Sequence, residues 1–440
     1  MKVVILDVYR KSPYRISKDT NGGYGVENDM GSGFIPGLLS RVAKHSIYWP
    51  PLAALNLISE FHALNEDVFF SKNVTDIDNT IDYVFLSISI VCSVFELQSL
   101  KYLKKKFPKL RVFAFGSFVE FNKEVLLKSG ASVIIGEPEF LAQQIKLNSL
   151  NLNLLHAQGV IKIISNDPDK LAPARWSKYV KASKNFILGN FSSFAPIIAS
   201  RGCPYSCYEY CTYPLQQGRK VRSISTDKMI EDINYINTDS GATNFVFRDP
   251  VFSINKKYTH SLLDEMALKL NGFKFTVETH LNNIDEVMAE KLSEASVNWV
   301  KFGIESADPN VMEDVSRYNI EKNEQIKGIQ LLKKYKIKTD AMYIVCQPLD
   351  TVESVNHTID YAIELDTNLA QFSMFTPYPG TPYFEKVKDS MLITKNYEDF
   401  TQFKLVFKHK IFTPESARAI LGKAYKKYYM RKLIPFAKFF

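Results

Sequence analysis

Three cysteines stand within nine residues, in the run Ser200-Arg201-Gly202-Cys203-Pro204-Tyr205-Ser206-Cys207-Tyr208-Glu209-Tyr210-Cys211. Three thiolates on one short loop can hold three irons of a [4Fe–4S] cluster and leave the fourth iron open to a non-protein ligand. A tetrahedral zinc site would want a fourth Cys or His; the nearest histidine downstream, His260, lies about fifty residues on, so only the fold could complete it. The bland alternative is three incidental buried thiols. Cys92 and Cys346 stand alone. Five cysteines in all are too few for a disulfide framework, which points to a reduced, cytoplasmic setting.

The elements around the loop predict an α/β chain. At 440 residues, with 46% hydrophobic and 23% charged residues, the chain can bury large cores and exceeds one core's usual size. No stretch approaches the length of apolar sequence that a membrane span needs. Met1 to Tyr9 reads as a buried strand followed at once by charged residues, not as a signal peptide. Residues 1–150 alternate strands (Val3–Val8, Tyr83–Ser89, Val112–Gly116, Val133–Gly136) with helices (Leu52–Leu64, Phe95–Phe107), as an N-terminal Rossmann-like, doubly wound parallel sheet would. Residues 151–194 are polar and irregular, a connector. Residues 195–390 repeat the alternation six times, with strands at Pro196–Ala199, Asn244–Phe247, Phe275–Glu278, Trp299–Glu305, Thr339–Val345 and Ala370–Phe375. Helices intervene near Thr226–Ile236, Thr259–Leu270, Asp285–Ala295, Asn323–Tyr335 and Val352–Leu365. That is a partial (β/α)6 barrel of TIM type, with its chemistry expected at the strand C-terminal ends. Residues 391–440 form a short C-terminal helical, basic extension.

The cysteine run resembles the loop of the radical S-adenosylmethionine (SAM) superfamily, especially its branch with an N-terminal cobalamin-binding domain. That loop is Cys-x3-Cys-x2-Cys after Ser-Arg-Gly, with an aromatic residue before the last Cys; here Tyr210 fills the aromatic place and the final spacing is x3. Further likenesses fall at strand ends: Arg248-Asp249-Pro250-Val251-Phe252, Gly303-Ile304-Glu305-Ser306 and Pro377-Tyr378-Pro379-Gly380-Thr381-Pro382. The fifth strand end departs, with Cys346-Gln347-Pro348-Leu349-Asp350-Thr351 where the family has Gly-x-Pro-Gly-Glu-Thr. The resemblance implies a [4Fe–4S] cluster on Cys203, Cys207 and Cys211. It implies SAM held by Tyr210, Asp249, Gly303, Glu305, Ser306, Pro348, Thr351 and Pro377. The N-terminal domain resembles the cobalamin module in Tyr48-Trp49-Pro50-Pro51-Leu52, Phe115-Gly116-Ser117 and Gly136-Glu137-Pro138-Glu139, which implies cobalamin contacts at Ser87, Gly116, Ser117, Gly136 and Glu137. No Asp-x-His-x-x-Gly is present, so cobalamin would bind without a protein histidine. The family likeness implies reductive SAM cleavage and substrate hydrogen abstraction, with cobalamin-dependent C-methylation or a related carbon-centred change. It implies an electron donor such as flavodoxin or ferredoxin. Cobalamin-free radical oxidation or cyclisation, tRNA methylthiolation, and a non-catalytic iron–sulfur protein are the rival readings. Methylthiolation usually brings three more N-terminal cysteines, and only Cys92 precedes residue 203.

The remaining signals are weaker. A glycine-rich stretch, Asn21-Gly22-Gly23-Tyr24-Gly25 through Gly37, lacks a phosphate-loop ending and reads as a flexible loop or a ligand lid. Residues 401–440 carry ten Lys and Arg against the single acid Glu415, net +9, while the whole chain is +8. The body is therefore near neutral and gives no clear nucleic-acid signal. Tyr425 to Phe440 mixes basic and aromatic residues, either as a helix packed on the barrel or as a peripheral contact with an anionic membrane. His280 faces the barrel mouth by position, His62 reads as a core residue, and Cys346 as a buried inert thiol. The substrate stays open between a lipid, a peptide, a sugar derivative and a tetrapyrrole.

Overall fold

Two parallel six-stranded sheets carry the chain. The computed structural model describes all residues except 20, 46–49, 65, 142–158, 164–166, 178–193, 206, 319 and 438–440. Tyr48-Trp49, Ser206, much of the connector and the end of the tail thus lie outside the described residues.

The first sheet contains β1 (Lys2–Leu6), β2 (Asp67–Ser71), β3 (Tyr83–Ser87), β4 (Arg111–Phe115), β5 (Ser132–Gly136) and β6 (Val160–Ile163). Their spatial order is β2-β1-β3-β4-β5-β6, all parallel. The strand order reverses at β1, which opens a crevice beyond the strands' carboxyl ends. Val3, Ile5, Val84, Phe85, Leu86 and Ala114 are fully buried, as expected of strands covered on both faces. Helices α1 (Phe34–Lys44), α2 (Leu52–Ala63), α3 (Ser93–Lys106) and α4 (Val119–Lys128) flank the sheet's connections. Two strands differ from the sequence reading. β2 is absent from it, and β6 falls inside the expected connector, so the N-terminal sheet runs past residue 150. Both are edge strands that alternate exposed and buried residues, and so lack the continuous apolar signal of their neighbours.

The second sheet runs β7 (Phe194–Ile197), β8 (Asn244–Phe247), β9 (Lys274–Glu278), β10 (Val297–Glu305), β11 (Lys338–Val345) and β12 (Leu369–Met374), parallel and in sequence order. Helices α5 (Thr226–Ser240), α6 (Lys256–Lys269), α7 (Glu286–Glu294), α8 (Lys322–Lys334) and α9 (Val352–Leu365) alternate with these strands. Among the described residues β7 and β12 do not pair, so the barrel is open, as expected. Its outward residues, such as Val300, Phe302, Ala341 and Tyr343, are buried. Its inward residues, such as Lys301, Gly303, Glu305, Asp340 and Met342, are half-buried. The lumen is therefore lined but not filled, unlike the packed interior of an eight-stranded barrel.

The C-terminal helix α10 (Pro414–Ala437) covers the free edge of β12. The Tyr425 hydroxyl donates to Phe372 O at 2.8 Å and accepts from Phe372 N at 3.1 Å; the Tyr429 hydroxyl does the same for Ala370 at 2.9 and 3.3 Å. Two phenols one helical turn apart thereby satisfy the outward backbone groups of an edge strand, which otherwise invites another strand. The basic residues point the other way. Lys423 donates to Asn356, and Lys427 and Arg431 pair with Asp360 and Asp366. The aromatic face at 425–429 is thus occupied by the barrel.

Buried charge joins the two sheets. Arg201, beside the thiol loop, pairs through Nη1 with Glu137 at 2.6 Å and through Nη2 with Glu139 at 2.5 Å, and Arg222 meets Glu137 at 2.9 Å. Arg201 and the two carboxylates are each at most 7% exposed. Glu137, expected on cobalamin, is instead committed to these guanidinium groups. In the first domain Lys18 is buried between Asp7 and Glu96, at 2.9 and 2.7 Å. Removing one partner of a buried pair leaves uncompensated charge. Arg201→Met is therefore expected to lower unfolding stability by about 3–5 kcal/mol, measured by denaturant unfolding at neutral pH; a loss below about 1 kcal/mol would mean that water, not Arg201, balances these carboxylates.

Candidate active site at the seam of the two domains

The thiol loop leaves the barrel directly after β7. Ser200 and Arg201 pair in a short antiparallel bridge with Ser223 and Arg222, and a short helix, Tyr213–Gln217, follows Cys211. Asp249, at the end of β8, holds the loop's root: its carboxylate accepts from Ala199 N at 3.0 Å, Ser200 N at 2.5 Å and Ser200 Oγ at 2.7 Å. Burial pushes this carboxyl up to about 6. Both oxygens are used, so Asp249 positions the loop where the sequence reading had it touch SAM.

Cys203 and Cys207 are buried and Cys211 half-buried, all free thiols. Cys207 and Cys211 share a hydrogen bond, which, with Arg317 behind it, lowers the Cys207 thiol to about 6; the Cys211 thiol rises correspondingly. Among the described residues no three His, Cys, Asp or Glu side chains converge on a single point. Soft thiolates spread along one loop match separate irons of a cube. The ring of Tyr205, in the same loop, stacks on buried His280 with centroids 5.5 Å apart, and burial lowers His280 to about 4.

Arg317, which the sequence reading missed, centres the lumen mouth. Its Nη1 lies 3.9 Å from Cys207 Sγ, and its Nη2 lies 3.2 Å from Gly303 O and 3.4 Å from Glu305 Oε1. Glu305, expected on SAM by resemblance, thus has Arg317 as its basic neighbour. Glu305 sits at φ 63° and burial pushes its carboxyl up to about 7. A Cβ at Gly303 would lie 2.2 Å from that carboxylate, so glycine makes the room. Tyr210 packs near Phe375, with ring centroids 5.9 Å apart, and its hydroxyl is raised by burial and by Glu305. One layer deeper, Glu278, Lys301 and Asp340 stand in register on β9, β10 and β11. Burial raises both carboxyls, and neither accepts a hydrogen bond from another described residue. A guanidinium and two carboxylates short of donors match the carboxylate, ammonium and ribose hydroxyls of SAM.

The other expected SAM residues divide. Ser306 Oγ accepts from Asp308 N at 3.1 Å and lies 3.2 Å from the Thr358 hydroxyl. Thr351 is exposed and caps α9, accepting from Ser354 N at 3.2 Å, a structural role. Pro348 is half-buried beside it and Pro377 is buried. Cys346 adopts φ 56°, the left-handed conformation that a glycine would adopt at lower cost.

A cavity of about 190 Å³ lies between the sheets, and Ser87, Gly116, Ser117, Gly136 and Glu137 all line it. Ser117 Oγ donates to Gly22 O at 2.5 Å, so the glycine-rich stretch forms a cavity wall, anchored by the Tyr24 hydroxyl donating to Pro379 O at 2.7 Å. Arg248, Tyr213 and Gln216 line it from the barrel side, where the Gln216 amide lies against Gly22 and Arg248 bonds to Asp19. Gln216 Nε2 and Arg248 Nε are buried without a hydrogen-bond partner among the described residues, and buried donors of this kind await an acceptor. The glycines and serines at Ser87, Gly116, Ser117 and Gly136 leave a flat, small-residue wall that a broad ring such as a corrinoid can approach closely.

In the metal-free protein, iodoacetamide should label Cys207 at lower pH than an ordinary thiol, because the thiolate prevails above its lowered pKa. Cys203 and Cys211 should label only at higher pH, and Arg317→Met should move the Cys207 midpoint upward. Equal labelling of the three thiols across the pH range, read by mass spectrometry, would contradict this ordering.

The site finds its likeness among known proteins. Residues 197–362 match the model of the Radical SAM superfamily. An uncharacterized methyltransferase of Pyrococcus horikoshii is 32% identical over 241 residues, covering 54% of this chain and 52% of that protein. The bacteriochlorophyllide d C-8(2)-methyltransferase of Chlorobaculum tepidum is 26% identical over 331 residues, 72% of each. The chain spans about half the length of the first curated relatives it matches, 52% and 44%. The structure of the radical SAM methyltransferase TsrM from Kitasatospora setae, with tryptophan and a SAM analog, superposes with a TM-score of 0.63 at 13% identity, covering 96% of this chain and 88% of that one. The cobalamin-dependent enzyme OxsB, with aqua-cobalamin and SAM, gives 0.66 at 11%, covering 96% and 66%. Residues 197–362 thus match a radical SAM domain, set behind an N-terminal parallel sheet, and the two together have the fold seen in TsrM and OxsB.

Proposed function

We propose that the chain is a cobalamin-dependent radical SAM enzyme that modifies a carbon centre of its substrate, most simply by C-methylation. The observation that carries this reading is the seam itself: the cavity wall ends at Arg248, whose charge reaches Glu278 in the lumen, so the two cofactor sites share one boundary. Cys203, Cys207 and Cys211 would hold a [4Fe–4S] cluster. Arg317, Glu278 and Asp340 would bind SAM, with Tyr210 against its adenine and Glu305 beside it. Ser87, Gly116, Ser117 and Gly136 would border cobalamin. When bound, the cluster with SAM supplies a carbon-centred radical able to take a substrate hydrogen, and cobalamin supplies a methyl group.

The chain's own work is placement and exclusion. Asp249 and Arg201 fix the loop, Arg317 keeps positive charge beside Cys207, and the loop with Tyr24 closes the seam against water. His280, low in pKa, stays neutral near neutral pH and serves as a ring for Tyr205 to rest on. Electrons would come from a flavodoxin or ferredoxin, and the five free thiols suit the reducing cytoplasm. Among the described residues no helix is long and apolar enough to cross a membrane.

Anaerobic reconstitution with iron and sulfide, followed by titration with hydroxocobalamin, tests the reading. The wild type should take up about four irons per chain and one corrinoid, and should release 5′-deoxyadenosine from SAM under reduction. Cys203→Ala/Cys207→Ala/Cys211→Ala should lose the iron and keep the corrinoid. Full iron retention by that variant would refute the assignment.

A further inference from the structure

The barrel wall of the cavity is more specific than a cofactor needs. Leu215 and Gln216 are neighbours on the short helix that follows Cys211, and both line the cavity. Leu215 is also 46% exposed, and Phe121, at the start of α4, is 42% exposed. A Cβ at Gly380 would lie 3.0 Å from Leu215 Cδ1 and 3.3 Å from Phe121 Cε2, so these two apolar side chains meet over a glycine. Phe121 is held in place: its ring runs parallel to Phe118, at 6.5 Å and 5°, and perpendicular to Phe384, at 5.7 Å and 88°. Three segments far apart in sequence therefore build a fixed apolar rim continuous with the cavity. Exposed apolar surface on ordered, converging elements is a recognition feature.

The polar part lies further in. Gln216 Nε2 is buried without an acceptor. Arg248 spends Nη2 on Asp19, donating to its backbone oxygen at 3.0 Å and meeting its carboxylate at 3.4 Å, while Nε has no partner among the described residues. Glu278 lies within electrostatic reach on the lumen side, so Arg248 stands where the cavity meets the lumen. A substrate positioned between the two cofactors would have its oxygen there.

We infer that the barrel wall is the substrate subsite, and that it takes an amphipathic molecule: an apolar portion on the Leu215–Phe121 rim and a carbonyl or carboxylate oxygen on Gln216 and Arg248. This rests on the reading of the Ser87, Gly116 and Gly136 side of the cavity as the corrinoid side. The occupant is committed by continuity, since Leu215 belongs both to the rim and to the cavity. Carboxylates suit Arg248 better than neutral carbonyls, because its open edge adds charge to the hydrogen bond.

The test is calorimetric, on the chain loaded with cluster and hydroxocobalamin, using butyrate, octanoate and octylammonium as probes. Octanoate should bind at least about tenfold tighter than butyrate, from its added buried methylenes, and about tenfold tighter than octylammonium. Leu215→Asp, and independently Phe121→Ser, should erase the gain with chain length. Gln216→Leu with Arg248→Met should erase the preference for carboxylate and keep the gain with length. Absence of chain-length dependence in the wild type, or its survival in both rim variants, would overturn the subsite. Octanoate binding that vanishes when hydroxocobalamin is loaded would also overturn it, because the donors would then serve the cofactor's amides. If hydroxocobalamin does not bind at all, the reading of the cavity as a cofactor site falls, and the same series on the cluster-loaded chain decides the rim by the same criteria.

Discussion

Everything in this site hangs on one buried guanidinium. Arg201 occupies the position between Ser200, which Asp249 holds, and the glycine that precedes Cys203, and it reaches across the seam to Glu137 and Glu139 at the end of β5. With Arg222 the network has two cations and two anions, so its charges balance without water. Burying such groups is costly unless the geometry is good and the charges are paired; here both partners sit on rigid strand ends. The consequence is mechanical. The thiol loop is registered not only to its own barrel but to the first sheet, so Cys203 and the cavity wall at Glu137 are tied through one residue. The same logic explains why Glu137, placed beside the cavity, is unavailable to a ligand.

The lumen depends on a second constraint, which is strain. Two non-glycine residues, Glu305 and Cys346, take the left-handed conformation at the ends of adjacent strands β10 and β11. Each costs roughly 1–2 kcal/mol relative to a right-handed residue, a cost that persists where the surroundings dictate it. At Glu305 the turn swings a carboxylate back over Gly303 toward Arg317. At Cys346 the family pattern carries glycine, which takes such a turn at lower cost. The backbone keeps that turn, and the hydrogen bonds of Gln347 N to Asp350 and of His409 to Gln347 O hold it.

The parts legible in the sequence are those with a strong local signal. The strand Asn244–Phe247 and the helix Val352–Leu365 have the boundaries that their patterns predicted, and the cysteine run identified its own chemistry. Helix α1 escaped notice because it begins after Gly33, contains Pro36-Gly37, and leaves Phe34, Leu38 and Val42 exposed; its apolar stripe faces outward and its residues read as a loop. Arg317 lies in a loop with no motif, and only the fold brings it to Cys207. Glu278 and Asp340 each have a signal of a kind, a lone acid at an inward position of a strand, but the inward register is known only once the sheet is assembled. Asp249 and Thr351, expected on SAM, accept from the backbone at Ala199, Ser200 and Ser354, bonds that short polar residues at turns commonly make and that no sequence pattern distinguishes from a ligand contact.

The central claim is that one seam brings cluster and corrinoid face to face, and electron paramagnetic resonance tests it most directly. With the chain loaded with cob(II)alamin and the cluster reduced, the account predicts that relaxation of the cobalt signal is enhanced by the neighbouring cluster spin, and that the enhancement disappears when Cys203, Cys207 and Cys211 are replaced by alanine. A bound corrinoid whose relaxation is the same with and without the reduced cluster would contradict it.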